Sequence, residues 1–218
     1  NVEVAARVHA SEGMCVVAEE QTAGRGRHDR TWVSPARAGL WMSVLVHPAD
    51  VPTARWGWLP LVAGLSVRDA VRATSAMPLD LKWPNDLVVR NAACGGSGGL
   101  AKVGGILSEV LGPDAVVIGI GINVSLLSDE LPTDTATSLL LEGGDTDRDR
   151  LLAGILLALR DRLAMWRAGD PELARDYVDA CVTIGRLVDV HLPGDGRLHG
   201  TVTRIDPEGH LVLDVDGM

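Results

Sequence analysis

The sequence lacks phenylalanine and has almost no lysine. Of its 218 residues 20 are Lys or Arg, and only two of these are lysines, Lys82 and Lys102, which leaves 18 arginines. A genome rich in G and C would produce this bias, because arginine then fills every site that only needs positive charge. The two remaining lysines are therefore candidates for sites that need a compact ammonium group.

Positive charge as a whole is scarce. The 20 basic residues stand against 29 Asp and Glu, so the formal charge is −9 and the pI is about 5.1. Generic nucleic-acid binders and basic membrane-surface proteins need a positive field over a large face, and this balance argues against both. With 46% hydrophobic and 22% charged residues, the composition is that of an ordinary globular protein. We expect one main domain with a small appendage.

Cysteine and long apolar runs are also scarce. Cys15, Cys94 and Cys181 are widely spaced and have no CxxC or HxxH context, so neither a disulfide framework nor a zinc site is indicated. The longest apolar runs, 151–159 and 115–120, are far shorter than the roughly 18 residues of a spanning helix. No signal peptide is visible. We expect a cytoplasmic protein with reduced thiols that binds neither membrane nor nucleic acid.

Hydrophobic periodicity predicts the elements of the first part of the chain. Helices are expected over residues 2–12 and 55–76, and a long loop over 19–39. Strands are expected over 14–18, which should be buried, over 40–47, which alternates, and over 79–83, 87–89, 103–111 and 116–124. Strands that follow one another without intervening helices predict an antiparallel or mixed sheet rather than a doubly wound one.

Two helices are predicted next, and after them the hydrophobic pattern changes. Residues 146–167 carry the clearest helical period and end before Gly169, and Asp170-Pro171 is a helix start for a second helix to Cys181. After Val182 the chain has short alternating runs separated by Pro/Gly/Asp turns. We therefore predict two domains, residues 1–181 and a small β module of residues 182–218.

The segment from Glu20 to Trp32 concentrates positive charge. Arg25, Arg27 and Arg30 lie there among glycines, whose backbone N–H groups can approach an anion closely. Anion binding and a solvated loop without function are equally good interpretations, and an Arg/Gly nucleic-acid segment is a weaker one. A dinucleotide-binding fingerprint is rejected, because Asp29 occupies its third glycine position and no helical period follows.

Three further strings carry polar residues or glycines at strand positions. Residues 81–86 (LKWPND) are a strand end with a turn, and the alternative to a site is a lysine extended into solvent. Residues 102–109 (KVGGILSE) contain a glycine pair that marks either a β-bulge or close approach of a ligand. Residues 117–124 (VIGIGINV) have glycines on one face. Two such strands could form a flat floor for a planar bicyclic ligand.

Taken together, these strings resemble a known family. The order GRGRxxRxW, KWPND, KxxGIL and GIGIN resembles the biotin–protein ligases, also called biotin–[acetyl-CoA-carboxylase] ligases, over nearly the whole chain. The resemblance extends to 136–139 (ATSL) and 183–186 (TIGR). It implies an α+β fold: a mixed, largely antiparallel sheet with flanking helices, like class II aminoacyl-tRNA synthetases, followed by a small SH3-like β-barrel.

The resemblance also implies an activity. Family members join biotin to ATP, accompanied by Mg²⁺, as biotinyl-5′-AMP with loss of pyrophosphate. They then transfer biotin to one lysine of a biotin carboxyl carrier domain of an acyl-CoA carboxylase. A carboxylate must approach the anionic α-phosphate in the first step. One cation at about 4 Å contributes roughly 4 kcal/mol of Coulomb attraction, before desolvation, at an effective dielectric near 20.

Site residues follow from the matched motifs. The resemblance implies catalytic roles for Lys102, Arg27 and Asp86, with Lys102 between the two anions and Asp86 facing the carrier lysine. It implies biotin contacts for Asn1, Gln21, Arg25, Gly26, Arg27, Lys102, Gly104 and Gly105. It implies ATP or adenylate contacts for Arg25, Arg27, Trp32, Lys82, Trp83, Asn85 and Asn123. Residues 22–33 are expected to be mobile without ligand and ordered over the adenylate.

The sequence departs from the family pattern at three places. Asp29 stands where a glycine is usual, the spacer from Asp86 to Lys102 is long, and both ends are expected to be trimmed, which leaves the β module incomplete. A lipoate–protein ligase, which lacks the GRGRxxRxW string, is the nearest alternative. A biotin-responsive DNA-binding repressor without its DNA-binding part and a passive biotin-binding module are the others.

Overall fold

A six-stranded antiparallel sheet forms the centre of the protein. The computed structural model describes residues 10–27, 32, 34–75, 77–91, 99–192 and 196–215. The strand order is β1-β2-β6-β5-β4-β3, and every neighbouring pair is antiparallel. The strands are β1 Cys15–Ala18, β2 Gly39–Val46, β3 Asp80–Lys82, β4 Asp86–Arg90, β5 Leu100–Val110 and β6 Val116–Asn123.

Helices cover one face of this sheet. A 3-10 helix Thr53–Trp58 leads into α1 Leu59–Ser75, and α2 Arg148–Ala168 and α3 Pro171–Ala180 follow later in the chain. Side chains of α1 and α2 pack with the inward-facing residues of the sheet into the main core. The Asp147 carboxylate accepts from Arg150 N at 3.0 Å and caps α2 at its start. Gly169 ends α2 with φ 67°, a conformation that favours glycine.

A second sheet of three strands lies at the C-terminal end of the described chain. It has the order β7-β8-β9 and consists of β7 Leu187–His191, β8 Arg197–Ile205 and β9 Leu211–Asp214, again antiparallel. The turn between β8 and β9 contacts the main body, where it accepts hydrogen bonds from two tryptophan side chains. The domain boundary at residue 182 and the closure of this sheet into a barrel stay predictions.

The α+β prediction is confirmed, and three local predictions need correction. β1 was expected to be buried, but it is a partly exposed edge strand. β2 was expected to alternate, but all eight residues are buried, because its second face is covered as well. The helix expected from residue 55 begins as a 3-10 turn and becomes α-helical only at Leu59. The helix expected over 2–12 falls largely outside the described residues.

Two further expectations concern the cysteine thiols and membrane-spanning helices. Cys15 and Cys181 are free thiols, and Cys94 lies outside the described residues. Burial raises the pKa of the Cys15 thiol. Within the described ranges, no helix is both long enough and apolar enough to span a membrane.

Candidate active site

A cavity of about 740 Å³ lies on the face of the sheet opposite the helices. Its floor comes from the central strands β4, β5 and β6, and its walls come from the Gly-Arg segment, residues 20–27, and from residues 132–136. Both lysines of the chain line it. The charged residues of the wall are Arg25, Arg27, Lys82, Lys102, Glu20, Asp86 and Glu109.

A β-bulge brings Lys102 into this cavity. In the pairing of β4 with β5, Leu87 lies opposite Gly104 and Val88 lies opposite Lys102, so Val103 has no partner of its own. This extra residue shifts the alternation of β5 by one. Lys102 therefore shares the cavity face with Gly105 and the odd-numbered residues beyond it, although strict alternation would turn it away. The glycine pair marks the bulge that the sequence left as an alternative.

Lys102 is held from three sides. Its Nζ lies 2.5 Å from Asp86 Oδ1, with side-chain exposures of 36% and 25%, so the pair is only partly shielded from water. The same Nζ lies 5.4 Å from the centre of the Trp32 ring, within range of a cation–π contact. Its backbone N–H donates to Thr135 O at 2.7 Å, and its carbonyl accepts from Thr137 N at 2.8 Å. The backbone of Lys102 is thus fixed by residues 135–137, and its ammonium lies on the cavity wall between Asp86 and Trp32.

Trp32 covers the glycine floor. A Cβ added at Gly121 would lie 3.0–3.1 Å from three atoms of the Trp32 indole, and one added at Gly105 would lie 3.4 Å from it. Trp41 packs edge-on against the same ring with centroids 6.2 Å apart. The flat floor expected for a bicyclic ligand therefore exists but carries an indole of the protein itself. The Trp32 Nε1 is buried and has no partner among the described residues.

The Gly-Arg segment is anchored at several points. Gly24 O accepts from Trp32 N at 2.9 Å, and a Cβ on Gly24 would fall 2.4 Å from Trp32 O, so only glycine fits there. Gln21 Oε1 accepts from Ser34 Oγ at 3.0 Å. Arg25 Nη2 lies 3.0 Å from both carboxylate oxygens of Glu109 on β5. The segment thus presents Arg25 to the same cavity as Lys102.

Two asparagines, both expected from the resemblance to contact the nucleotide, donate hydrogen bonds to backbone carbonyls. Asn85 Nδ2 donates to Ile106 O at 2.9 Å, and Ile106 N donates to Asn85 O at 2.9 Å. Asn123 is buried and donates from Nδ2 to Thr137 O at 2.9 Å. Each side chain lines the cavity and also fastens one of its walls.

The structure assembles most of the expected site residues but not all. Gln21, Arg25, Gly26, Arg27, Trp32, Lys82, Asn85, Asp86, Lys102, Gly105 and Asn123 line one cavity. Trp83 does not line it, because its Nε1 is turned away to donate to Gly209 O at 3.0 Å. Gly104 does not line it either, because its side-chain position faces Gly121 O and Leu87. Asn1, Asp29 and Arg30 lie outside the described residues.

The cavity also contains residues that the sequence did not point to. Glu109 stands inside the KVGGILSE string, where counting by two from Gly105 would have placed it on the cavity face. Glu20 opens the Gly-Arg segment. Residues 132–135, which form the opposite wall, belong to no motif that could have identified them, whereas Ala136, which bridges to Lys102, opens the ATSL string of 136–139.

Several proteins are similar to this chain in sequence. A profile of the Biotin/lipoate A/B protein ligase family matches residues 8–123. The biotin–[acetyl-CoA-carboxylase] ligase of Mycobacterium tuberculosis is 43% identical over 209 residues, which cover 94% of this chain and 75% of that protein. The bifunctional ligase/repressor BirA of Bacillus subtilis is 32% identical, and the match covers 95% of this chain but only 63% of that one.

Solved structures give the same result. The biotin protein ligase of Aquifex aeolicus in complex with biotin and ATP matches with a TM-score of 0.82 and 30% identity, over 98% of this chain and 87% of that one. The Leishmania major enzyme in complex with biotinyl-5-AMP matches with a TM-score of 0.68 and 26% identity, over 99% and 91%. By its profile match and by its relatives, the chain belongs to the biotin/lipoate A/B protein ligase family.

Proposed function

We propose that this protein is an ATP-dependent biotin–protein ligase that forms biotinyl-5′-AMP and transfers biotin to a lysine of a carrier domain. The single observation that carries the proposal is the convergence of four cations, including both lysines of the chain, on one cavity of a protein with a formal charge of −9. Such a cavity suits a carboxylate and a phosphate brought together. The relatives named for biotin, ATP and biotinyl-5-AMP support this choice of ligands.

In the first step a carboxylate oxygen of biotin attacks the α-phosphorus of ATP, and the bond to pyrophosphate breaks. Both reactants are anions, so their approach needs positive charge between them. Lys102 is the group we assign to this place, because its ammonium lies on the cavity wall beside Asp86 and Trp32 and a compact ammonium can bridge two oxygens. Arg25 and Arg27 would neutralise the phosphates, and Gln21 and Gly105 would line the biotin end.

In the second step the neutral amine of the carrier lysine attacks the acyl carbon, the bond from this carbon to the phosphate oxygen breaks so that AMP leaves, and the proton lost by the nitrogen passes to Asp86 or to solvent. Asp86 is the group we assign to receive or orient this amine. Its Oδ1 is engaged by Lys102, and we assign Oδ2 to the incoming nitrogen. The proposed chemistry thus uses one carboxylate to hold the ammonium of the first step and to meet the amine of the second.

Magnesium enters the proposal as part of the nucleotide substrate. Within the described residues, no three His, Cys, Asp or Glu side chains are grouped closely enough to hold an ion, and Asp86 and Glu109 are each engaged by a cation. Phosphate oxygens would therefore supply most of its ligands. The same proposal includes a carrier domain as the partner, a cytoplasmic location and a separate small domain of residues 182–218.

The test is transfer to a carrier. The protein is incubated with ATP, biotin and a purified biotin carboxyl carrier domain, and the carrier mass is followed with time. We expect one biotinyl adduct, which disappears without ATP and on a carrier whose target lysine is replaced by arginine. Lipoate in place of biotin should give no adduct. An equal lipoyl adduct would assign the protein to the lipoate branch of the family, and pyrophosphate release without any adduct would refute the transfer step.

A further inference from the structure

Two tryptophans of the main body hold the same turn of the small sheet. Trp58 Nε1 donates to Pro207 O at 3.0 Å, and Trp83 Nε1 donates to Gly209 O at 3.0 Å. The turn is seated closely, since a Cβ on Gly57 would lie 2.6 Å from Glu208 O. The two indoles therefore make equivalent hydrogen bonds to acceptors two residues apart.

The two tryptophans differ in whether the chain segment that contains them lines the cavity. Trp58 ends the 3-10 helix, no residue of which lines the cavity. Trp83 lies inside the segment 82–86, of which Lys82, Asn85 and Asp86 line the cavity. A displacement of Trp83 would therefore move cavity-lining residues of its own segment, whereas the 3-10 helix that contains Trp58 contributes no residue to the cavity lining.

Segment 82–86 is fixed on two sides. Towards the C-terminal part of the chain, Trp83 N donates to Thr183 Oγ1 at 3.0 Å and Val182 N donates to Leu81 O at 2.8 Å. Towards the cavity, Asn85 exchanges two hydrogen bonds of 2.9 Å with Ile106, and Asp86 contacts Lys102 at 2.5 Å. Trp83 therefore lies between the small sheet and the Lys102–Asp86 pair.

We propose that Trp83 is a positioning residue, whose hydrogen bond to Gly209 O makes the turn of the small sheet a support for the Lys102–Asp86 pair. This inference rests on the proposed adenylation. Trp83 lies outside the cavity and acts through the segment 82–86. The small sheet thereby contributes to the chemistry of a cavity that it does not line.

The experiment compares Trp83→Phe with Trp58→Phe. Each variant keeps an aromatic ring and loses one indole donor to the same turn. Because Trp58 is 5% exposed and Trp83 is only partly buried, a purely structural role predicts a larger loss of melting temperature in Trp58→Phe and no difference in kinetics. Pyrophosphate release with ATP and biotin is measured as kcat and KM. We expect Trp83→Phe to lower kcat by about tenfold, with a smaller change in the KM for biotin, because displaced catalytic groups lower the rate of the chemical step. Trp58→Phe should stay within about twofold.

Hydrogen exchange provides a second readout that needs no activity. In Trp83→Phe the amides of Ile106 and of residues 82, 83, 85 and 86 should exchange faster, and in Trp58→Phe they should not. Thr183→Val, which removes the acceptor of Trp83 N, should act in the same direction and serves if Trp83→Phe does not fold. Equal kinetics and equal exchange in the two tryptophan variants would overturn the inference. An inactive wild type would refute the proposed function instead. Hydrogen exchange would still show whether Trp83 positions the segment 82–86.

Discussion

Lys102 reaches the cavity because β5 carries one extra residue at Val103. This feature joins a backbone irregularity to a chemical role, since without the bulge the ammonium would lie on the other face of the sheet. Sequence alone singled out Lys102 by its rarity and by the resemblance. It could not reveal the bulge, because a glycine pair is compatible with a regular strand as well as with a bulge.

Arg25 is paired with Glu109 in the structure, and in the proposed mechanism it would exchange this partner for an anionic ligand. We expect Glu109→Gln to tighten binding of a non-hydrolysable adenylate analogue by about two- to fivefold, since partly exposed ion pairs contribute up to about 1 kcal/mol. Titration calorimetry measures the change. Asp80→Asn breaks the exposed Arg90 pair outside the cavity and should leave Kd unchanged. Weaker binding by Glu109→Gln would show that Glu109 holds Arg25 in its productive position.

Asn123 supports the wall that fixes the Lys102 backbone. Asn123→Ala leaves Thr137 O without its donor in a buried place, and we expect a loss of about 1–3 kcal/mol in the free energy of unfolding. Urea denaturation measures it. Ser125→Ala, which removes only a 3.5 Å contact to Ala38 O, is the control and should cost less than about 0.5 kcal/mol. Equal losses would mean that the Asn123 amide is not a specific support.

At the scale of elements, strands and helices were largely predictable and their order was not. Runs rich in Val, Ile and Leu indicate strands, and Asp147, Gly169 and Asp170-Pro171 mark helix ends by local chemistry. The pairing of β2 with β6 joins residues that are 70 (Val46 with Val116) to 84 (Gly39 with Asn123) positions apart, and no local pattern encodes it. For the same reason sequence placed the Trp83 indole in the nucleotide site, whereas its partner Gly209 lies 126 residues later.

The β8–β9 turn depends on Asp206. Its carboxylate accepts from the backbone N–H groups of Glu208 and His210 at 2.9 Å each. Desolvation acts to raise the pKa of Asp206, but these hydrogen bonds, together with the nearby His210 ring, outweigh it and the pKa lies below its ordinary value. A lowered pKa stabilises the folded state above the unfolded pKa of about 3.9, and this contribution is lost as the pH falls through the folded pKa.

We therefore expect Asp206→Ala to be less stable than wild type at neutral pH and the difference to shrink below about pH 4. Urea unfolding at several pH values measures this. Glu208→Gln keeps both backbone hydrogen bonds to Asp206 and should follow the wild-type profile. A difference that stays constant or grows towards acid pH would contradict the assigned role of the carboxylate.

At the scale of the whole molecule, the described part of this acidic chain gathers four cations around one cavity. Of the seven charged residues that line the cavity, four are cations and three are anions, against an excess of nine acidic residues over the full chain. The composition predicted that the protein would repel polyanions in general. It could not show where Lys82 and Lys102 meet, because this depends on pairing β3 with β4 and β4 with β5.

The central claim is that this cavity joins biotin to ATP with Lys102 between the two anions. The most direct measurement is pyrophosphate release, dependent on both ATP and biotin, by the wild type, Lys102→Ala and Lys82→Ala. We predict release by the wild type, a loss of at least about 100-fold in Lys102→Ala and a smaller loss in Lys82→Ala. Release by Lys102→Ala at the wild-type rate would contradict the claim.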